Sequence, residues 1–182
     1  MQDIEEQLLE LKKQVKELSD KESIREKLMI YGRICDRCDI ELAKEVFAED
    51  SLCEYGPYFE GTGYELCQWL IDAHLMFSAT THQMTNMLIN LDGDKASSET
   101  GHVGVVYTDR DPDNIEASLS FSRYLDKWER RDGEWLIVSR KVLSEIAYVS
   151  AVVYGKANYG EYSRDREDLS YEYYQYQRKS NA

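Results

Sequence analysis

Ile4, Leu8, Leu11, Val15 and Leu18 recur at alternating spacings of four and three, with Glu and Lys between them. That is the period of one helix face. The stripe covers little more than two heptads, too few for a stable independent coiled coil. It either packs on its own domain or clamps a neighbouring subunit. Ser19-Asp20 interrupts it, and Ser23 then stands three residues before Glu26, a capping-box spacing that predicts a second helix. On that helix Ile24, Leu28, Tyr31, Ile34, Cys35 and Cys38 broadly share a face. A short helical piece is expected over 41–47, and a pair of short strands over 52–59, where Pro57 excludes an uninterrupted central strand. Gly61-Thr-Gly63 reads as a turn, after which helical spacing returns through Leu66, Trp69, Leu70, Ala73 and Phe77.

At His82 the period changes to two. Met84, Asn86, Leu88 and Asn90 are expected on the same strand face as His82. Asp92-Gly93-Asp94 predicts a hairpin into a strand over 95–108, with His102, Gly104 and Val106 on one face. A polar loop over 109–114 precedes two long strands, 115–130 and 134–149, joined by Arg131-Asp-Gly133. Helices first and four antiparallel strands afterwards give an α+β class, a curved sheet wrapped against the N-terminal helices. Three regions follow: an amphipathic helix over 1–19, a domain over 20–150, and a tail over 151–182. Six of the fourteen tyrosines lie from Tyr159 onward, which suits a tail lying on a protein surface, because tyrosine offers contact area at low entropic cost.

Composition narrows the function. The 182 residues suit one well-buried core. A formal charge of −13 argues against nucleic acid and against anionic membranes, and favours a neutral substrate. No apolar run approaches the roughly 20 residues of a membrane span. The acidic, amphipathic start is not a secretory signal. Four scattered cysteines do not make a disulfide framework, so a cytoplasmic setting is expected.

Candidate chemistry gathers at Tyr31-Gly-Arg-Ile-Cys-Asp36-Arg-Cys-Asp39 and at Thr80-Thr-His82. An aspartate near a helix end and a histidine at the head of a strand can pair to make an oriented general base. Acids are unfavourable near a helix C-terminus, which hints at a reason for Asp36 or Asp39. Helical spacing leaves Tyr31 and Asp36 roughly 140° apart, so their convergence requires the helix to end near Asp36 over a concave sheet. Cys35-Asp-Arg-Cys38 has CxxC spacing, but it stands at a helix's far end with no preceding strand, and Cys53 and Cys67 do not supply a second zinc pair. Buried small hydrophobes is the favoured reading of these cysteines. His102 lies between glycines at 101 and 104, a sign of a bulge or a close ligand approach, while His74 reads as structural.

The Ile-Tyr-Gly-Arg-Ile-Cys-Asp-Arg-Cys-Asp run, Val46-Phe-Ala-Glu-Asp50, Thr80-Thr-His-Gln-Met-Thr-Asn86 and the Arg-Arg-Asp-Gly-Glu-Trp hairpin resemble the SnoaL-like branch of the nuclear transport factor 2-like superfamily over about residues 20 to 148. The resemblance implies a cone-shaped, cystatin-like α+β barrel with an apolar pocket. It is similar to scytalone dehydratase, bile acid 7α-dehydratase and hexachlorocyclohexane dehydrochlorinase, which use an Asp–His pair and need no cofactor or metal. By position, Tyr31 and Asp36 match the helix tyrosine and aspartate and His82 the strand histidine, the implied catalytic set. His102, Tyr55, Trp69, Asn86 and Arg140 are the expected substrate contacts, Arg140 matching a common family arginine without an assigned chemical role. The implied activity is a lyase acting on a small hydrophobic cyclic or terpenoid-like substrate. An isomerase, a polyketide cyclase and a non-catalytic binding or association module are the alternatives on the same fold. A homo-oligomer is expected, a trimer rather than a dimer.

Overall fold

The computed structural model describes residues 2–108, 116–151, 163–168 and 170–173. A single helix α1 (Gln2–Arg37) is followed by a 3-10 turn (Ile40–Leu42), the short α2 (Ala43–Val46), strands β1 (Phe47–Tyr55) and β2 (Phe59–Gly61), and α3 (Gly63–His74). Four long strands complete the domain: β3 (Ala79–Asp92), β4 (Lys95–Thr108), β5 (Glu116–Arg131) and β6 (Glu134–Ala151). The strand order β2-β1-β6-β5-β4-β3 makes one curved sheet. The expected antiparallel hairpins are present, but β1 pairs with β6 in parallel, so the sheet is mixed. No helix among the described residues is long and apolar enough to cross a membrane.

The expected break at Ser19-Asp20 does not occur: α1 runs 36 residues without interruption. Pairs one turn apart stitch the junction, Lys16 Nζ to Asp20 at 2.9 Å and Lys21 Nζ to Glu17 at 2.7 Å. Asp20 is also held by Arg130 of β5 at 2.6 Å. The Ser23/Glu26 spacing is therefore interior to a helix. A capping box forms instead at Thr62, whose hydroxyl accepts from the Glu65 amide while Glu65 accepts from the Thr62 amide.

Ile24, Leu28, Tyr31 and Ile34 press the second half of α1 into the hollow of the sheet, together with Val46, Phe47 and Leu66, against Trp128, Trp135 and Ile137. Gly32 sets how close the helix comes to β3: a Cβ there would stand 3.3 Å from the His82 carbonyl oxygen. β3 then carries a bulge between Thr85 and Leu88, with Asn86 at φ +48°. The extra residue moves the inward positions from His82 and Met84 to Met87, Ile89 and Leu91, leaving Asn86 and Leu88 exposed. The expected shared face for His82 and Asn86 is thus corrected, because a bulge breaks the period of two.

Candidate active site

α1 ends one residue after Asp36, and Cys38 at φ +53° turns the chain away in the left-handed conformation of a helix cap. The close approach at Gly32 then delivers Asp36 to the head of β3. Its Oδ1 lies 2.7 Å from His82 Nδ1, and its Oδ2 accepts the His82 backbone amide at 3.0 Å. Thr80 Oγ1 makes a longer 3.5 Å contact to Oδ1. An acid unfavourably placed at a helix C-terminus is thus compensated by donors from the sheet. An ionised carboxylate only accepts, so Nδ1 donates this bond, and in the neutral ring the lone pair is on Nε2. The His82 side chain is 8% exposed and that of Asp36 18%, so the pair sits at the margin of the interior.

His82 is one member of a file of rings. His74 lies 4.9 Å away on one side and His102 5.0 Å on the other, between ring centres. The file continues through Tyr124 at 5.2 Å from His102 and Tyr31 at 5.4 Å from Tyr124. His102 Nδ1 is 2.7 Å from Ser122 Oγ, and Gly104 permits its ring to lie flat on β4, since a Cβ there would come within 2.7 Å of Cε1. Burial, with the charge of His82 second, pushes His74 down to about 4 and His102 down to about 3. Both flanking imidazoles stay neutral near pH 7. Of the three rings, only His82 has a carboxylate against it among the described residues.

Tyr31 is fully buried between Phe47, Tyr124 and the Arg140 guanidinium, which lies 4.1 Å over its ring. Burial raises its phenol well above the usual range. Its hydroxyl, like His74 Nδ1 and His102 Nε2, has no hydrogen-bond partner among the described residues. Arg140, expected as a substrate contact, is fully buried and bonded through Nε and Nη2 to Asp126 at 2.7 and 2.8 Å, which places it beneath Tyr31 in the core. Tyr55 and Trp69 meet at 5.5 Å with their rings tilted by 59°, and Phe59 lies 5.6 Å from Trp69. Asn86 lies outside the site for the reason given above.

Cys35 Sγ and nitrogens of His74 and His82 all lie within 4.8 Å of one another. Tetrahedral zinc draws its donors to roughly 3.3–3.8 Å apart, and burial holds the Cys35 thiol protonated by raising it well above its usual value. Sequence spacing did not bring out this trio, which sets one thiol and two imidazoles from different elements side by side.

The described part of the tail reaches the site. Arg164 donates to the carbonyls of His74 at 2.7 Å and Phe77 at 2.8 Å and to Thr80 Oγ1 at 3.3 Å. Arg166 and the Tyr171 hydroxyl both hold Asp39 at 2.8 Å, and Asp168 pairs with Arg37 at 3.3 Å. The described part of the tail meets the body through arginines as much as through tyrosine; Tyr159, Tyr162, Tyr174, Tyr176 and the Tyr173 side chain lie outside what is described. A groove of about 660 Å³ along β3 to β6, lined among others by Leu88, Glu99 and Lys127, contains none of the histidines. The chemistry, and not this groove, marks the site.

Solved structures share the architecture. A protein from Kribbella flavida, Kfla4162, is 19% identical over 71% of this chain and 93% of its own, with a TM-score of 0.65. A proposed scytalone dehydratase from Novosphingobium aromaticivorans DSM 12444 is 23% identical over 78% of this chain and 93% of its own, at 0.62. The hexachlorocyclohexane dehydrochlorinase LinA-type3 of Novosphingobium barchaimii LL02 is 14% identical over 80% and 99%, at 0.68. No curated protein matches the sequence. At these identities the structures speak for the fold. The sequence profile of the SnoaL-like domain matches residues 16–141, well over half the chain, and the protein belongs to that family, within the nuclear transport factor 2-like superfamily.

Proposed function

We propose that this protein is a cofactor-independent lyase that eliminates water, or a comparable leaving group, from a small hydrophobic cyclic substrate. The observation that carries the reading is the Asp36–His82 pair: a carboxylate fixes Nδ1 and leaves Nε2 as a lone base between two neutral imidazoles. In the forward step Nε2 takes the proton from the carbon next to the one bearing the leaving group. The C–H electron pair becomes the new double bond, and the C–O bond breaks with its electrons on oxygen. Asp36 stabilises the imidazolium, which returns its proton to the departing oxygen as water forms. Tyr31, its hydroxyl unpartnered among the described residues, donates to a substrate oxygen at the far end of the ring file. Dehydratase and dehydrochlorinase structures among those with this fold support an elimination chemistry.

The test is a turnover screen over cyclic hydrophobic alcohols and halides, with wild type and His82→Ala compared, each with and without a chelator. Wild type is expected to form the alkene with or without chelator, and His82→Ala to lose on the order of 10²–10⁴-fold. Turnover that survives His82→Ala, or that vanishes on chelation and returns with one metal ion, contradicts the reading.

A further inference from the structure

The two halves of α1 present their apolar residues on different sides. From Asp20 onward the helix buries Ile24, Leu28, Tyr31, Ile34 and Cys35 in the domain, whereas every residue from 4 to 19 is exposed. Within that exposed half Ile4, Leu8, Leu11, Val15 and Leu18 are 69%, 50%, 56%, 57% and 66% exposed. Taking about 100° per residue, the centre of this stripe lies roughly 165° around the axis from the buried face. The domain that covers one face therefore cannot cover the other. The exposed half stands roughly 24 Å beyond the body. An isolated helix of that length is marginal in water, but this one grows from a half already fixed by the core, so the cost of nucleation is met and a short seam suffices.

We propose that the N-terminal half of α1 docks, antiparallel, onto the same segment of a second copy of this chain, a two-fold pairing in place of the trimer expected from the family resemblance. The spacing of four and three is that of a coiled-coil seam, and the charges choose the direction. Asp3, Glu5, Glu6 and Glu10 precede Lys12, Lys13 and Lys16. A parallel, in-register pair sets acid against acid and base against base. The antiparallel pair, with Leu8 beside Leu11 of the partner subunit and Ile4 beside Val15 of the partner subunit, sets Glu5 against Lys12 of the partner subunit, and the two-fold axis repeats that pair. It also opposes the two helix dipoles.

Ile4→Cys and Val15→Cys chains, prepared separately and then mixed before mild oxidation, decide the direction. Antiparallel docking gives a crosslink between the two variants in the mixture and none in either alone, because like positions are then roughly 16 Å apart, beyond disulfide reach. The unsubstituted chain controls for the native cysteines. Light scattering of the full chain is expected to give an even multiple of 21.3 kDa, halved by Leu8→Asp/Leu11→Asp. Self-crosslinking of Ile4→Cys, an odd multiple, a monomer, or a mass unmoved by the double substitution overturns the proposal.

Discussion

Asp126 and Asp36 each hold a nitrogen base at 2.7 Å, and the two pairs differ in what they leave free. Asp126 grips the Arg140 guanidinium through both oxygens, with both side chains 0% exposed. Tyr31, Tyr124 and Phe47 line the flanks of the cation. Burial works against that charge, but Asp126 outweighs it and the guanidinium is held further above its usual range. Such a pair has no lone pair to give and no route to a substrate. Asp36 instead takes one nitrogen of a ring that has two, and it does so at the edge of the interior. The same carboxylate–base contact leaves nothing free in one place and a spare ring nitrogen near the edge of the interior in the other.

Removing one partner of the buried pair is the largest perturbation that separates them. Arg140→Met should cost about 3–5 kcal/mol in denaturant unfolding, because Asp126 is left charged and unpaired in the core. A loss below about 1 kcal/mol would mean that the pair is not the anchor described here.

Acid should sharpen the comparison next. In the unfolded chain His74 and His102 take up protons near their ordinary value of about 6.5, while in the fold they resist until about 4 and about 3. A lowered folded value means stability is complete above the unfolded value and is lost as pH falls toward the folded one. Each ring then costs up to about 1.4 kcal/mol per pH unit below pH 6.5. Thermal unfolding at pH 7 and pH 5 should show this loss, and His102→Gln should reduce it. A stability that is flat across that window contradicts the buried, neutral state of both rings.

The smallest of these effects is expected at the tail. Arg164→Met removes bonds to the end of α3 and to Thr80, which touches Asp36. A stability loss of about 1 kcal/mol follows from the lost hydrogen bonds. Turnover should fall less than tenfold, since Asp36 keeps both bonds to His82. A loss as large as that of His82→Ala would move Arg164 into the reactive group.

The sequence made the α+β class and the four hairpin strands readable, because the switch from a period near 3.6 to a period of 2 at His82 reflects burial on one face. Asp36 and His82 could be singled out by residue type and by position at element ends. Other features depend on tertiary contacts. The face change at Ser19-Asp20 looks like a helix break in a periodicity argument, although ion pairs carry the helix through it. The bulge at Asn86 has no glycine on its own strand to announce it; Gly101, opposite Thr85 on β4, is its only glycine signal among the described residues. No local pattern ties His74, Ser122 or Tyr124 to His82, since the ring file joins α1, α3, β3, β4 and β5. Arg140 was an expected substrate contact only through its match to a common family arginine; its ion pair with Asp126, fourteen residues earlier, holds it in the core instead.

The most direct test of the central claim is a double-mutant cycle in kcat/KM between His82→Ala and Asp36→Asn. If the carboxylate acts through the imidazole, Asp36→Asn lowers turnover strongly in the wild-type background and costs little more once His82 is alanine. Equal losses in the two backgrounds would show that Asp36 and His82 act independently, and the dyad would have to be abandoned.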